Sequence, residues 1–311
     1  MNRLDPKHAT SVIIFTSPKA GSGAGRDQLP KLTAGLQQIG IDVQTVGTVI
    51  DLQTETQRAH NPIVVAAGGD GTLALAAASI AAKVPLVPMP MGTENLLAKH
   101  FGYRCDAAFV IETLQFGQAK RIDVGTAAGK PFLIMATCGF DAEVVRAMHL
   151  TRRGHINRFS YFRPISRAIS RYRFPEIQIR VDGAPPIRAG WAMVFNLPRY
   201  AASLAIEPNA IPDDGMLDLI ALQGRSVARG LVYLAGIQTG QHLKFSDVVR
   251  LRGKSFEISA SDSTGPDLPG PETPACRIPY QVDGDYAGRL PLKIETMPGR
   301  VQLLLPSRGI A

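Results

Sequence analysis

Three glycines surround one aspartate at the point where an apolar run meets a predicted helix. The apolar run covers 62–67, and it is followed directly by Gly68, Gly69, Asp70, Gly71 and Thr72. Glycines at the carboxyl end of a buried strand let a ligand approach the backbone closely. A helix that begins at about Thr72 directs its first N–H groups and the positive end of its dipole to the same place. These residues predict an anion-binding turn.

Asp70 is unusual inside an anion site unless a cation is also present. A carboxylate beside phosphate groups usually holds Mg²⁺, either directly or through water. The residues therefore predict a magnesium ligand at Asp70. They leave open a simpler interpretation, in which this is a tight strand–helix turn and Asp70 only caps the helix.

Two further turns of similar type precede predicted helices. The turn at 17–25 is rich in glycine, and its candidate ligand-binding residues are Ser17, Lys19, Gly21 and Gly23. It lacks the G-K-[ST] ending of a Walker loop. The turn at 90–95 contributes Gly92, Thr93 and Asn95. Turns that follow parallel strands meet at one edge of a sheet, so the three together predict a site for a phosphate-bearing nucleotide.

The elements that must position these turns alternate between strand and helix. Short apolar runs predict strands at 11–16, 41–46, 62–67 and around 84–90, and residues 26–39 have helical spacing. The predicted order over the first hundred residues is strand, helix, strand, strand, helix, strand, helix. This order is typical of an α/β domain with a parallel sheet and helices on both faces.

From about residue 121 the pattern changes to short alternating runs separated by turn residues. This pattern predicts a mostly antiparallel β domain, interrupted by one helix at about 226–240. The segment 261–275 is rich in Pro and Gly, and we assign it no regular structure.

The composition of the chain bears on the compartment in which the protein works. The chain has 311 residues, a net charge of +8 and three cysteines that form neither a metal-binding spacing nor a disulfide framework. No signal peptide or transmembrane run is visible, and we expect a reduced cytoplasmic protein.

The positive charge is concentrated in one segment, since residues 145–174 contain eight arginines and no acidic residue. Its central part has the spacing of a basic amphipathic helix, which favours an anionic membrane surface as partner of the Arg-rich 146–173 segment. A solvated helix packed on the β domain remains the alternative. No nucleic-acid motif accompanies the arginines, so nucleic acid is not expected as a partner.

The motifs resemble, in type and order, the diacylglycerol kinase catalytic domain family, which includes soluble bacterial lipid kinases and is related to sphingosine and ceramide kinases. The resemblance rests on GGDGT at 68–72, P-x-G-T-x-N at 90–95 and SPKAGSG at 17–23. It continues with DDGMLDL at 213–219 and VDGDYAG at 282–288, and so covers nearly the whole chain.

The resemblance implies a two-domain enzyme. A nucleotide-binding α/β domain would comprise 1–122 and 298–311, and a lipid-substrate β-sandwich domain would comprise 123–297. By the same resemblance ATP and Mg²⁺ would be held by Gly68, Gly69, Asp70, Gly71, Thr72, Thr93 and Asn95. Asp283 would act as base or hydroxyl-positioning residue, with Asp285 where the family usually has Glu. Asp214 would lie where some bacterial members bind a structural Mg²⁺.

The residues alone support a simpler interpretation of the last two motifs, because Asp-Gly is a strong turn dipeptide. The chain also departs from the family pattern. Ala74 and Leu75 replace the usual Asn-Glu after GGDGT, and Leu96–Lys99 replaces a D-x-A-R run.

The predicted function is therefore an ATP- and Mg²⁺-dependent lipid kinase of phospholipid metabolism, cytoplasmic and peripherally membrane-associated. The expected acceptor is diacylglycerol-like, with sphingoid, ceramide or phosphatidylglycerol-type lipids as alternatives. NAD kinase and a non-catalytic lipid- or nucleotide-binding regulator also remain open, as does a homodimer.

Overall fold

A computed structural model describes residues 11–16, 25, 27–151, 175–200, 204–261 and 278–307. The candidate residues Ser17, Lys19, Gly21 and Gly23 lie outside these ranges, as do most of the Arg-rich segment and the Pro/Gly-rich loop. The chain divides into two compact units. The first contains the residues up to Val124 and those from Met297 onward, and the second contains Gly125–Tyr200 and Leu204–Thr296.

The first unit alternates strands and helices. Its elements are β1 Ser11–Thr16, α1 Gln28–Gln38, β2 Asp42–Val46, α2 Val49–Arg58, β3 Pro62–Gly68, α3 Asp70–Ser79, β4 Pro85–Pro90, α4 Leu96–Phe101 and α5 Ala107–Phe116. Helix α2 separates two strands that the sequence pattern placed in succession, so that expectation was wrong. The Thr48 side chain caps α2 by accepting a hydrogen bond from the Asp51 N–H (3.1 Å), and this Thr-x-x-Asp spacing was a signal for the helix.

The sheet of the first unit is parallel. Strand β1 lies between β2 and β3, β4 follows β3, and residues Gln302 and Leu303 of the last strand, β18 (Leu292–Leu305), pair with β4. Nearly every residue of β1, β3 and β4 is buried, as expected when helices cover both faces of a parallel sheet. The carboxyl ends of β3 and β4 consequently lie side by side, with Gly68 opposite Pro90.

The second unit is a β-sandwich of antiparallel strands. Its elements are β5 Gln118–Ala127 (which begins in the first unit), β6 Lys130–Phe132, β7 Met135–Cys138, α6 Phe140–Thr151, β8 Ile177–Val181, β9 Ile187–Ala189, β10 Trp191–Phe195, β11 Arg199–Tyr200, β12 Leu204–Ala205, β13 Leu217–Leu222, α7 Val227–Gln238, β14 Val248–Gly253, β15 Ser255–Ala260, β16 Pro279–Val282 and β17 Asp285–Arg289. One sheet has the strand order β14-β13-β10-β7-β16-β17, and a second runs from the start of β18 through β15 and β8 to β9.

The core of the second unit is formed by side chains from both sheets, among them Phe132, Phe256, Ile179, Val194 and Leu219. The pattern of short alternating runs predicted the antiparallel class of this unit, in which β5 and β6 form a hairpin at Ala128 and Gly129. Within the residues that the structure describes, no helix has the length and apolarity needed to span a membrane.

Candidate functional site

The turn between β3 and α3 packs tightly against the turn that follows β4. The backbone N–H of Met91 donates to the carbonyl of Gly68 (2.8 Å). A Cβ atom added at Gly92 would lie 2.6 Å from the Cα of Gly69, a distance that side chains do not tolerate. Two of the predicted turns therefore meet backbone to backbone, which only glycine at position 92 permits.

Asn95 shapes the second of these turns through its own side chain. Its Oδ1 accepts the N–H of Gly92 (3.0 Å), and its Nδ2 donates to the Gly92 carbonyl (2.7 Å). Asn95 has a φ of 49°, in the left-handed region that Asn tolerates better than most residues. The predicted ligand residue Asn95 thus holds the loop in place, while Thr93 beside it is exposed.

Asp70 is the first residue of α3, yet its carboxylate caps the next helix. Oδ2 accepts the N–H of Leu96 (2.9 Å) and Oδ1 accepts the N–H of Leu97 (3.3 Å), at the start of α4. Burial raises the pKa of Asp70 above its usual value, although these two hydrogen bonds and the charge of Lys99 act in the opposite direction. The capping interpretation is therefore correct in part, but the helix that Asp70 caps lies 26 residues further along the chain.

The surroundings of Asp70 fit a nucleotide phosphate with a bound cation. The first turn of α3 begins at Asp70 and includes Gly71, which is exposed and has no heavy atom near the position of an added Cβ. Each Asp70 oxygen accepts one N–H and keeps a further lone pair, and the carboxylate is partly removed from water. A divalent cation there would stabilise the charged form of Asp70 and so offset the effect of burial, which raises its pKa.

The first glycine-rich turn is described only at its end. A Cβ at Gly25 would lie 3.0 Å from Met91 Cε and 3.3 Å from Cys105 Sγ. The end of the turn that follows β1 is therefore close to Met91, next to the turn that contains Gly92. This contact agrees with the expectation that turns from neighbouring parallel strands share one sheet edge.

Asp283 lies in the second unit, in the hairpin turn between β16 and β17. Its Oδ2 accepts the N–H of Leu133 (2.8 Å), and its Oδ1 accepts the N–H groups of Ile134 (3.0 Å) and Met135 (2.9 Å). Asp283 and Gly284 have φ values of 46° and 90°, as a tight two-residue hairpin turn requires. Asp283 thus anchors the loop before β7, and the hairpin interpretation of the Asp-Gly dipeptide is correct.

Asp285 follows the same turn but differs in its surroundings. It opens β17, it is exposed, and its side chain makes no hydrogen bond or ion pair with the part of the chain that the structure describes. Its carboxylate is therefore available to a ligand.

A buried polar network that was not predicted from the sequence supports this hairpin. Gln281 is fully buried; its Nε2 donates to Thr137 Oγ1 (3.0 Å) and to Asp141 Oδ2 (3.1 Å), and its Oε1 accepts the N–H of Gly284 (2.7 Å). Thr137 also donates to Asp141 Oδ2 (2.7 Å). A polar residue within the apolar run of β16 was the one available signal for it.

Asp214 lies before β13, at the opposite edge of the six-stranded sheet from the Asp283 hairpin. Its Oδ2 accepts a hydrogen bond from Arg252 on β14, and its Oδ1 accepts the N–H of Met216 (3.0 Å). Arg252 Nε is also 2.9 Å from Asp218 Oδ1. A guanidinium group already supplies positive charge between these two carboxylates, so the residues present do not fit a metal ion at Asp214.

The neighbouring ion pair repeats this arrangement two residues away on the same strand. Arg250 donates through two nitrogens to the buried Glu207, at 2.5 and 2.8 Å. No group of three or more His, Cys, Asp or Glu side chains suited to a metal ion occurs in the described residues. No local pattern in the sequence indicates these two arginine–carboxylate pairs.

Both parts of the chain match known protein families. Residues 11–127 match the diacylglycerol kinase catalytic domain, and residues 135–305 match the YegS C-terminal NAD kinase beta sandwich-like domain. The chain is 29% identical over 315 residues to a diacylglycerol kinase of Mycobacterium tuberculosis (strain H37Rv), with 96% of each chain covered. It is 23% identical over 304 residues to a diacylglycerol kinase of Staphylococcus carnosus (strain TM300), with 94% of each covered.

The fold is also found in solved structures. A crystal structure of a diacylglycerol kinase from Bacillus anthracis str. Sterne superposes with a TM-score of 0.64 at 19% identity, covering 96% of this chain and 97% of that one. Two further solved structures from the same organism give TM-scores of 0.68 and 0.69 at 20% identity, and the matches cover 99% and 97% of those chains and 96% and 95% of this one. At this identity the likeness establishes the α/β unit followed by the β-sandwich.

Proposed function

Because the chain belongs to the diacylglycerol kinase family and is therefore a lipid kinase, we propose that it transfers the γ-phosphoryl group of ATP to the hydroxyl of a diacylglycerol-like lipid. The observation that carries the proposal is the contact between the Gly68–Thr72 and Gly92–Asn95 turns at the carboxyl ends of β3 and β4. It supports a phosphate site where sheets of this type bind nucleotides.

In this proposal the first unit binds the phosphates of ATP. The N–H groups at the start of α3 would face the phosphate oxygens, and Gly71, which has no heavy atom near the position of an added Cβ, would allow them to approach the backbone. Thr72, Thr93 and Asn95 offer side-chain donors and acceptors nearby. Mg²⁺ at Asp70 would neutralise charge that develops on the transferred phosphoryl group.

The second unit would supply the carboxylate that positions the attacking hydroxyl. Asp283 and Asp285 are both candidates from the resemblance, and their contacts suggest a division of roles. Asp283 accepts three backbone N–H groups and would hold the hairpin, whereas the exposed Asp285 would accept the proton of the lipid hydroxyl. Asp285 is one methylene shorter than the usual Glu.

Diacylglycerol is proposed as acceptor because relatives that cover nearly the whole chain are named diacylglycerol kinases. The other acceptors, sphingoid base, ceramide and phosphatidylglycerol-type lipid, share the same primary or secondary hydroxyl chemistry. The substitution of Ala74 and Leu75 for the family's Asn-Glu keeps a non-catalytic regulator as the second candidate.

We further propose that the enzyme works in the cytoplasm as a peripheral membrane protein of phospholipid metabolism, since its acceptor resides in a bilayer. The Arg-rich 146–173 segment is proposed as one contact with anionic lipid.

The test is a phosphoryl-transfer assay with γ-labelled ATP, Mg²⁺ and total lipid extract, with NAD offered as acceptor in parallel. The expected result is label in the organic phase, in a product that co-migrates with phosphatidic acid, and none with the Asp70→Asn variant. A different mobility would replace diacylglycerol by another lipid, and label on NAD would overturn the lipid acceptor. ATP binding without transfer to either acceptor would favour the regulator.

A further inference from the structure

Helix α7 of the second unit carries apolar residues on its outward face. Ser226 caps the helix by accepting the N–H of Arg229 (3.1 Å), which fixes where it begins. Leu231, Val232 and Val227 expose 48%, 42% and 39% of their surface. Their exposed neighbours on the same side of the helix are Ala228, Ala235 and Gln238. We call these six residues the α7 face.

The inward side of α7 is firmly anchored. Tyr233 is fully buried; its hydroxyl accepts the Gly224 N–H (2.7 Å) and donates to Asp247 (2.5 Å). Arg229 forms an ion pair with Asp247, and its guanidinium lies 4.9 Å from the ring centres of Tyr233 and Phe245. The only charged side chain of the helix is therefore turned toward the sandwich and neutralised there. The orientation that exposes the α7 face is fixed by these contacts.

A helix that is apolar on both its inner and outer sides is normally covered on both. No Asp, Glu, Lys or Arg occurs from Gly230 to Leu243, so the face has none of the charges that a water-facing helix usually carries. Apart from Gln238 at its end, the α7 face exposes only Leu, Val and Ala side chains. The composition therefore indicates a site that is covered when the protein works.

The α7 face has the wrong size and chemistry for a specific protein interface. Three turns of helix span about 18 Å, and a stable interface needs about 800 Å² from each partner with several hydrogen bonds. The face has no aromatic anchor and one hydrogen-bonding side chain. A bilayer needs neither, because it accepts apolar side chains without specific geometry.

Positive charge lies at both ends of the α7 face. At its start, the exposed Arg225 and Arg188 share the single carboxylate of Glu176, which leaves one positive charge in excess among the three. Beyond its end, Lys244 is exposed. Apolar residues between cationic ends match the layering of a membrane, with acyl chains below and anionic headgroups at the level of the cations.

We propose that the α7 face is a membrane-docking surface, which inserts Val227, Leu231 and Val232 into the acyl boundary of an anionic bilayer. The inference rests on the proposed function, because a lipid kinase must reach an acceptor that lies in a membrane. It adds a site distinct from the Arg-rich segment, built from apolar side chains instead of arginines.

The first experiment measures co-sedimentation with vesicles of equal parts phosphatidylglycerol and phosphatidylcholine. The double variant Leu231→Ser/Val232→Ser should bind at least about tenfold more weakly than the natural protein. The matched control Ile39→Ser/Ile50→Ser changes two exposed apolar residues of the first unit and should bind as the natural protein does. Equal loss in both double variants, or in neither, would overturn the proposal.

A second variant reports insertion directly and does not remove apolar surface. Leu231→Trp adds a tryptophan to a chain whose single natural one, Trp191, is buried. Its fluorescence should shift to shorter wavelength on vesicle binding and should be quenched by brominated lipid. A tryptophan that stays in water on bound protein would overturn the proposal, as would sedimentation showing that the α7 face pairs two copies of the chain.

An assay in detergent micelles distinguishes failure of the docking surface from failure of the proposed lipid kinase function. Kinase activity on diacylglycerol dispersed in detergent micelles does not require a bilayer. The Leu231→Ser/Val232→Ser variant should keep that activity while losing activity on vesicles. Loss in vesicles alone supports the docking surface, full activity on vesicles excludes it, and no activity in micelles for the natural protein refutes the lipid kinase instead.

Discussion

Asp70 in the first unit and Asp214 in the second are two carboxylates for which the sequence predicts a bound cation, and their surroundings differ. Asp70 accepts two backbone N–H groups, no arginine of the described residues forms an ion pair with it, and burial raises its pKa. Asp214 forms an ion pair with Arg252, which also contacts Asp218. A partly buried carboxylate that has backbone N–H partners and whose pKa is raised by burial is suited to an added metal ion, whereas an arginine paired with the carboxylate already supplies the positive charge.

Asp283 gives a third arrangement, in which its carboxylate accepts three backbone N–H groups, those of Leu133, Ile134 and Met135. The three aspartates resemble one another in sequence context, since each is next to glycine. What separates them chemically is the partner that the fold brings to each.

The largest expected effect is at Asp70. The Asp70→Asn substitution keeps an acceptor for one N–H but removes the charge, and we expect kinase activity to fall by about 10³-fold. The measurement is phosphoryl transfer at saturating lipid with Mg²⁺ varied. Asp51→Asn, at the exposed start of α2, is the control and should leave activity unchanged. Near-normal activity of the Asp70→Asn enzyme would contradict the proposed cation site.

Substitutions at Asp283 and Asp285 distinguish a carboxylate that stabilises the hairpin from one that is available to a ligand. Asp283→Ala leaves three backbone N–H groups without their acceptor and should lower the free energy of unfolding by about 3 kcal/mol, measured by urea denaturation. Asp285→Asn should leave that free energy unchanged and lower kcat by about 100-fold. The reverse result is a stable but inactive Asp283→Asn protein and an active Asp285→Asn protein. It would indicate that Asp283, and not Asp285, accepts the proton of the lipid hydroxyl.

The Arg252→Ala substitution tests the second carboxylate of the comparison. It leaves the largely buried Asp218 without its guanidinium and should lower the free energy of unfolding by about 2 kcal/mol. The Asp70→Asn variant, which lacks the proposed cation ligand of the first unit, should unfold at the same temperature in EDTA and in Mg²⁺, because Arg252 already supplies the charge beside Asp214. Melting that drops in EDTA would mean that a metal ion does bind beside Asp214.

An effect of similar size is expected in the pH dependence of stability that Asp218 causes. Burial raises its pKa to about 6, and Arg252 opposes the shift. The folded protein therefore holds this proton more tightly than the unfolded chain, so the stabilisation is present at low pH and is lost as pH rises through about 6. The difference in unfolding free energy between the natural protein and Asp218→Asn should fall by on the order of 2 kcal/mol from about pH 4 to pH 7. A constant difference would contradict the raised pKa.

Much of the first unit could be predicted, because its signals are local. Apolar runs that end in glycine identify β3 and β4, and the rule that parallel strands end at one edge brings the 68–72 and 90–95 turns together. Helix α2 escaped prediction although Thr48 and Asp51 provide a cap, because its apolar residues are few and only Leu52 is buried. The partner of Asp70 could not be predicted, since Leu96 and Leu97 lie 26 and 27 residues away.

The sequence by itself determined the two fold classes, the order of the strands along the chain, the glycine turns and the family. These follow from hydrophobic period and from residues whose backbone preferences act locally. The tertiary structure decided which aspartate faces an arginine, which faces backbone N–H groups and which faces solvent, and which side of α7 is left apolar and exposed. Those properties depend on contacts between residues far apart in the chain, such as Asp214 with Arg252, and no local pattern encodes them.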